Sequence, residues 1–290
     1  MAVSTDSPTP LPPARPAEPA QPDQPAVSSV RRSASEAESR RANRADWDRY
    51  ADEYQATHGD FLGDIGFLWG PEGHTEDTLA LLGQVAGRDV LEVGSGAGQC
   101  SRWVRARGGR PVGLDLSFRQ LQHARRIDVE TGVEVPSVQG TATHLPFADA
   151  SFDVVFSSFG ALQFVRDIDQ AVADVARVLR RPGRFAFSIT HPTRWMFPDD
   201  PGEGGLVAEQ SYWDATPYVE VDPETGDTLY VEHHRTIGDW VRLLHRHGFT
   251  LVDIAEPQWP SDHDRVWGGW SRTRGMLTPG TAIYVADRLA

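Results

Sequence analysis

The segment Val90–Gly98, with the sequence VLEVGSGAG, decides the fold of this chain. A short apolar run leads directly into glycines at alternate positions, Gly94, Gly96 and Gly98. Glycine permits tight backbone turns and lets a ligand approach the main chain closely. The residues that follow are expected to begin a helix, whose first N–H groups have no partner within the helix. The segment therefore predicts a buried strand, a ligand-binding loop and a helix.

An acidic residue lies at the end of the next apolar run, Pro111–Leu116, about 20 residues beyond the loop. In nucleotide-binding α/β folds, a carboxylate at this place accepts hydrogen bonds from ribose hydroxyls, and Asp115 is the candidate here. A dinucleotide-binding fold needs the pattern G-x-G-x-x-G, but position 99 is Gln99. A nucleotide-linked oxidoreductase is therefore disfavoured.

Short β-branched runs alternate with segments of helical spacing over the rest of the chain. This alternation predicts a doubly wound, Rossmann-like α/β fold with a mostly parallel sheet. Thr236 and Asp239 form a capping-box pattern that predicts the start of a late helix. The predicted strands are Asp89–Val93, Pro111–Leu116, Val135–Gln139, Phe152–Ser157, Arg184–Thr190, Phe249–Ala255 and Thr281–Ala286.

Two other segments depart from this alternation. Residues 1–44 are rich in Pro, Ala and Ser and then in charge, which predicts a disordered tail before a domain over 45–290. Residues 191–235 interrupt the regular order and predict an insertion on the substrate side of the sheet. Its aromatic residues either line an apolar pocket, cage a cation or simply anchor the insertion. They are Trp195, Phe197, Tyr212, Trp213 and Tyr218.

Composition narrows the class of protein. A net charge of −13 disfavours binding to phosphate backbones, so no nucleic-acid substrate is expected. The chain has no apolar run long enough to cross a membrane, and no membrane insertion is expected. Its single cysteine, Cys100, fits a reducing compartment and a cytoplasmic location. The oligomeric state is left open.

The order of motifs resembles the class I S-adenosylmethionine (SAM)-dependent methyltransferases. Glu92 stands two residues before the first glycine, and the loop spacing is G-x-G-x-G. The segments 115–117 (DLS), 140–147 (GTATHLPF), 151–155 (SFDVV) and 177–184 (RVLRRPGR) follow in the family's order. The resemblance implies a small-molecule methyltransferase similar to those of ubiquinone and menaquinone biosynthesis. It also implies a seven-stranded sheet whose last strand is antiparallel, an insertion after the fifth strand, and SAM as cofactor.

The resemblance further implies a role for individual residues. The loop that faces the methionine part of SAM would comprise Glu92, Gly94, Ser95, Gly96 and Gly98. Asp115 would hold the ribose, while Leu116, Thr141 and Ala142 would contact the adenine. Ser157 and Ser158 would approach the sulfonium, and Tyr54 would reach the cofactor from an N-terminal helix. Most relatives have Asp where this chain has Thr141, which is a weaker acceptor for the adenine amine.

Two histidines are candidates for a catalytic base. His191 directly follows the predicted fifth strand, and His234 lies near the end of the insertion. Histidine takes up a proton near neutral pH. We recognise no convincing set of metal ligands and predict metal-free transfer. The predicted reaction moves a methyl group from SAM to an O, N or C atom of a small-molecule acceptor by in-line displacement. The alternative is a non-catalytic SAM-binding sensor or scaffold.

Overall fold

The protein is described by a computed structural model that covers residues 27–289. Its centre is a seven-stranded sheet with the order β4-β3-β2-β5-β6-β10-β9. The strands are β2 (Asp89–Val93), β3 (Arg110–Asp115), β4 (Ser137–Gln139), β5 (Phe152–Ser158), β6 (Leu179–Thr190), β9 (Thr250–Ala255) and β10 (Thr281–Arg288). Only β10 runs antiparallel to its neighbours, β6 and β9. The predicted fold class, including the antiparallel last strand, is confirmed.

Helices cover both faces of this sheet, as the uninterrupted apolar strands require. On one face, Leu91, Phe185 and Phe187 pack against α5 (Ile168–Val178) and α6 (Ile237–Arg246). On the other face, Val90 and Phe156 pack against α3 (Gln99–Ala106) and the segment before β2. The remaining helices are α1 (Glu36–Leu62), α2 (Glu76–Leu79), α4 (Phe118–Thr131) and α7 (Arg272–Gly275). No helix in the described range is long and apolar enough to span a membrane.

A second, smaller sheet joins the start of the described chain to the predicted insertion. Its order is β1-β7-β8, comprising β1 (Ser28–Arg31), β7 (Tyr218–Val221) and β8 (Thr228–Glu232). Three short 3₁₀ helices complete the irregular parts, at Leu162–Phe164, Pro192–Met196 and Glu203–Leu206. The segment 191–235 therefore does not form its sheet alone, because β1 supplies the third strand.

The domain begins earlier than the predicted position 45. Besides β1, the helix α1 starts at Glu36, where Ser35 and Glu38 form a capping box. Ala42 and Asn43 are buried on this helix, and α1 packs on β8. The prediction of a disordered tail to residue 44 is therefore wrong for residues 28–44. The helix lacks a hydrophobic stripe that the sequence would have revealed, because the residues it buries there are small or polar. The prediction for residues 1–26 lies outside the described range.

Candidate functional site

A deep cavity lies at the carboxyl ends of β2, β3 and β5, where open α/β sheets bind ligands. The helix α1 forms one wall along its length. The loop after β2 and the loop after β5 form the floor, and Trp267 from the segment between β9 and β10 closes another side. Four parts of the chain that are distant in sequence thus enclose one space.

The glycine loop after β2 is folded as its composition predicts. Gly94 has a φ of +77°, and a Cβ there would lie 2.8 Å from Ala161 Cβ and from the carbonyl carbon of Gly160. Gly94 therefore lets the loops after β2 and β5 pack together. Gly96 has a φ of +51°, and its Cβ direction is open, with the nearest atom, Gln120 Oε1, at 3.9 Å. This opening at the backbone of Gly96 is a cradle that a ligand can fill.

Asp115, at the end of β3, faces the same cavity. Its carboxylate is held in place by two backbone donors, because Gly96 N–H donates to Oδ2 at 2.7 Å and Ser117 N–H donates to Oδ1 at 2.8 Å. Burial raises the pKa of Asp115 to about 6, despite these hydrogen bonds. Each carboxylate oxygen has a further lone pair, so this side chain fits two neighbouring hydroxyls of a ribose.

Glu92 is the other buried acid of the cavity, and it is 2% exposed. One oxygen accepts a hydrogen bond from the Ser101 hydroxyl of α3. Burial raises the pKa of Glu92 to about 8, so the cofactor-free protein holds this carboxyl group largely protonated at neutral pH. A cation bound beside it would favour the ionised form. Glu92 is therefore suited to a positively charged amino group.

The predicted adenine-side residues also meet here. Leu116, Thr141 and Ala142 all line the cavity, and Ala142 is buried. The hydroxyl of Thr141 lies 3.0 Å from that of Thr143, with which it shares a hydrogen bond. Because this contact engages the hydroxyl, Thr141 is a weaker partner for an amine than a carboxylate would be. Leu116 and Ala142 offer apolar surface next to it.

The aromatic residue predicted on the N-terminal helix reaches the cavity. Tyr54 lies on α1, within 5.5 Å of Trp47 and 5.9 Å of Trp267 between ring centroids. Burial raises the pKa of the Tyr54 hydroxyl, which keeps it neutral at physiological pH. Tyr50, which lies four residues before Tyr54, is not among the cavity-lining residues. The helix thus presents one aromatic face to the ligand space.

All the predicted cofactor residues line the cavity except Gly98 and Ser157. Gly98 has a φ of +79° and is the N-cap of α3, so it shapes the loop from behind. Ser157 is fully buried, whereas Ser158 reaches the cavity, because neighbouring strand residues point to opposite faces. The Ser158 hydroxyl donates to the backbone carbonyl of Leu68, which joins β5 to the cavity wall.

Neither candidate catalytic histidine is among the residues that line the cavity. His191 is 2% exposed, and its ring nitrogens lie 2.7 Å from Glu256 Oε1 and from Thr193 Oγ1. His234 Nε2 is hydrogen-bonded to the backbone carbonyl of Tyr212 at 2.6 Å. Burial lowers the pKa of both histidines. The structure gives both rings roles in holding the irregular segment after β6, away from the cavity.

Most aromatic residues of the insertion make contacts within the protein, whereas Trp213 is 80% exposed. Arg31 of β1 places its guanidinium 5.0 Å from the ring centroid of Trp195 and 5.9 Å from that of Tyr218. The hydroxyl of Tyr212 accepts a hydrogen bond from the first backbone N–H of α6 at 3.0 Å. A cation is thus already present over two of these rings, and it belongs to the chain itself. This arrangement favours the anchoring interpretation over a cage for a ligand.

Several cavity residues escape the sequence-based prediction. The residues that lie on α1 follow helical spacing. A predicted helix beginning at Glu36 would therefore have placed them on one face. The others come from loops whose approach depends on tertiary packing. The main residues of both kinds are Glu36, Arg40, Asn43, Trp47, Gln55, Phe61, Leu68, Pro71, Val165 and Trp267.

Comparisons with known proteins agree with this geometry. The model of the methyltransferase domain family matches residues 91–187. A demethylmenaquinone methyltransferase from Thermobifida fusca is 36% identical over 139 residues, which are 48% of this chain and 56% of that protein. Another from Tropheryma whipplei is 38% identical over 120 residues, 41% of this chain and 48% of that protein. The chain thus spans about half the length of the curated relatives it matches.

Solved structures extend the likeness beyond the central motifs. A SAM-dependent methyltransferase from Mesorhizobium loti has a TM-score of 0.59 at 27% identity, covering 72% of this chain and 95% of that one. A didemethyltoxoflavin N-methyltransferase from Burkholderia thailandensis, solved with its substrate and S-adenosylhomocysteine, has a TM-score of 0.57 at 20% identity. That match covers 94% of this chain and 100% of the other, and it shows the fold. Residues 91–187 therefore match a methyltransferase domain, and the proteins that the chain resembles in sequence and in fold include SAM-dependent methyltransferases.

Proposed function

We propose that this protein transfers the methyl group of SAM to an oxygen, nitrogen or carbon atom of a small-molecule acceptor. The observation that carries the proposal is the single cavity in which the glycine loop, Asp115 and the end of β5 meet beneath α1. This combination offers an open backbone, a ribose acceptor and an enclosed space next to both. A simple glycine-rich turn would need none of the other parts.

SAM, when bound, would supply an activated methyl group: an electron pair of the acceptor forms a bond to the methyl carbon while the carbon–sulfur bond breaks, and S-adenosylhomocysteine is the leaving group. We assign the amino end of the cofactor to Glu92 and the loop around Gly96, and the ribose to Asp115. The adenine is assigned to the surface of Leu116 and Ala142. The helix α1 excludes water and aligns the acceptor, which can account for much of the rate of such a displacement.

The acceptor is proposed to be small because α1 and Trp267 cover the cavity. The Thermobifida fusca relative is named for a menaquinone precursor, and an apolar acceptor suits the aromatic walls here. The net charge of −13 supports an acceptor other than nucleic acid. A cytoplasmic location is proposed as well, and the buried, unpaired Cys100 is consistent with it.

The first test is calorimetry of the full chain with SAM and with S-adenosylhomocysteine. We expect saturable binding of both. The second test offers methyl-labelled SAM and a fractionated metabolite extract to the protein and looks for a labelled product. Absence of any binding would refute the cofactor assignment, whereas tight binding with no labelled product in any fraction would favour a sensor or scaffold.

A further inference from the structure

The α1 wall of the cavity contains charged and amide side chains beyond those assigned to the cofactor. They are Glu36, Arg40, Asn43 and Gln55. Their spacing places them along one side of the helix. If the cavity also holds an acceptor, the polar side chains with no hydrogen bond or ion pair inside the protein are available to bind its polar groups. The hydrogen bonds of these four side chains therefore indicate what an acceptor would meet.

Three of the four are already engaged. Asn43 pairs with the backbone of Val231, donating from Nδ2 to its carbonyl at 2.9 Å and accepting at Oδ1 from its N–H at 2.8 Å. Gln55 Nε2 donates to Oε1 of Gln120 on α4 at 3.2 Å. Glu36 Oε2 accepts a hydrogen bond at 3.0 Å from the backbone N–H of Asp167, the residue before α5. These side chains hold α1 against the rest of the domain.

Arg40 differs from the other three. It is exposed, and within residues 27–289 no hydrogen bond or ion pair engages its guanidinium. It lines a neighbouring surface groove as well as the cavity, and Arg41 and Arg44 line that groove with it. Arg44 approaches Asp48 only to 4.0 Å. Three arginines and one acid, Asp48, line this groove at the cavity mouth, so its lining carries an excess of positive charge on a chain with a net charge of −13.

The walls between this mouth and the end of β5 are apolar. The rings of Trp47 and Phe164 meet edge to face with centroids 5.9 Å apart, and Val165 also lines the cavity. Such a surface suits a flat or aliphatic body, because apolar contact area is what it offers. Among the α1 side chains described, Glu36 and Gln55 keep unused acceptor oxygens, and Arg40 is the one cationic donor that lines the cavity.

We propose that the acceptor is an apolar molecule with an anionic group, a carboxylate or a phosphate, and that Arg40 binds this group at the cavity mouth. The inference rests on the proposed function. A guanidinium presents paired donors that match the oxygens of either anion. The adjoining Arg41 and Arg44 attract anions to the mouth. Arg40 is thereby a specificity-determining residue for the acceptor.

The test uses the full chain loaded with S-adenosylhomocysteine and three matched probes: naphthoate, naphthyl phosphate and neutral naphthalenemethanol. Calorimetry is expected to show that at least one anion binds about tenfold or more tightly than the alcohol. Arg40→Ala should abolish that preference, and Arg40→Lys should retain part of it. Arg126→Ala is the control, since it removes the same charge from an exposed residue of α4 that pairs with Glu130. That variant should keep the preference.

The proposal is wrong if the alcohol binds as well as both anions, or if Arg126→Ala reduces the preference as much as Arg40→Ala does. The ratio of the two anion affinities distinguishes a carboxylate from a phosphate source. Failure of S-adenosylhomocysteine to bind is a different result, because it overturns the proposed function itself and removes the basis of the inference.

Discussion

Replacing Glu92 with glutamine should uncouple cofactor binding from proton release. Burial raises the pKa of Glu92 to about 8, so the group is about nine-tenths protonated at pH 7 in the cofactor-free protein. A bound amino group beside it favours the carboxylate. Binding of SAM should therefore release about 0.9 proton from Glu92 at pH 7. In Glu92→Gln the amide cannot ionise, and this release should disappear.

The same reasoning sets the pH dependence of affinity. If the ionised form binds the cofactor, the affinity of the wild type for SAM rises about tenfold between pH 6 and pH 7. Asp115, with a pKa of about 6, contributes less than about twofold over this interval. Glu92→Gln should show only that smaller slope. Calorimetry in buffers of different ionisation enthalpy measures the released protons directly.

The free energy of unfolding of the protein without cofactor should fall as pH rises, whereas the affinity for SAM should rise. Folding raises the pKa of Glu92 from 4.5 to about 8, so between these values the folded chain binds more protons than the unfolded chain. The free energy of unfolding therefore falls as pH rises through this window, by at most on the order of 4 kcal/mol. Glu92→Gln should lose less stability over the window, and Glu130→Gln, at an exposed position, should behave as wild type. Equal proton release and equal pH slopes in wild type and Glu92→Gln would refute the reasoning.

Three other substitutions test the fold and the site. Gly94→Ala should lower the free energy of unfolding in urea by more than about 2 kcal/mol, because the new Cβ meets both a positive φ and a 2.8 Å contact. The control Gly87→Ala, with φ +73° and no atom within 4 Å of the new Cβ, should lower it by about 1 kcal/mol. Equal costs would contradict the packing role of Gly94. Asp115→Ala should weaken SAM binding by about 1–3 kcal/mol in calorimetry, and unchanged affinity would overturn the ribose assignment. Asn43→Ala should lower the free energy of unfolding by about 2 kcal/mol, because the N–H and the carbonyl of Val231 both lose their hydrogen bonds to Asn43. The α1 amides should then exchange hydrogen faster, and unchanged protection of these amides would contradict the prediction.

The centre of the sheet was predictable because β2, β5 and β10 are short apolar runs that are mostly buried, whereas the edge strands β4 and β9 are partly exposed. The predicted Asp89–Val93 is β2 itself, and the predicted Thr281–Ala286 falls within β10. The Thr236 capping box also appears as predicted, at the start of α6. The start of α1 was not predicted, because its buried face carries Ser39, Ala42 and Asn43, which give no hydrophobic stripe. The Ser35–Glu38 box was the local signal available there.

What the sequence by itself determined is the part of the cavity that we propose for the cofactor. The strand, the glycine loop and the acidic residue at the end of β3 are short-range patterns, and local backbone preferences with burial are enough to form them. The part proposed for the acceptor depended on the tertiary structure, because α1 and Trp267 come from opposite ends of the chain and meet only by packing. Packing likewise directed His191 and His234 into structural hydrogen bonds and left Arg40 at the cavity mouth. Such placements depend on contacts between segments distant in sequence, which no local pattern encodes.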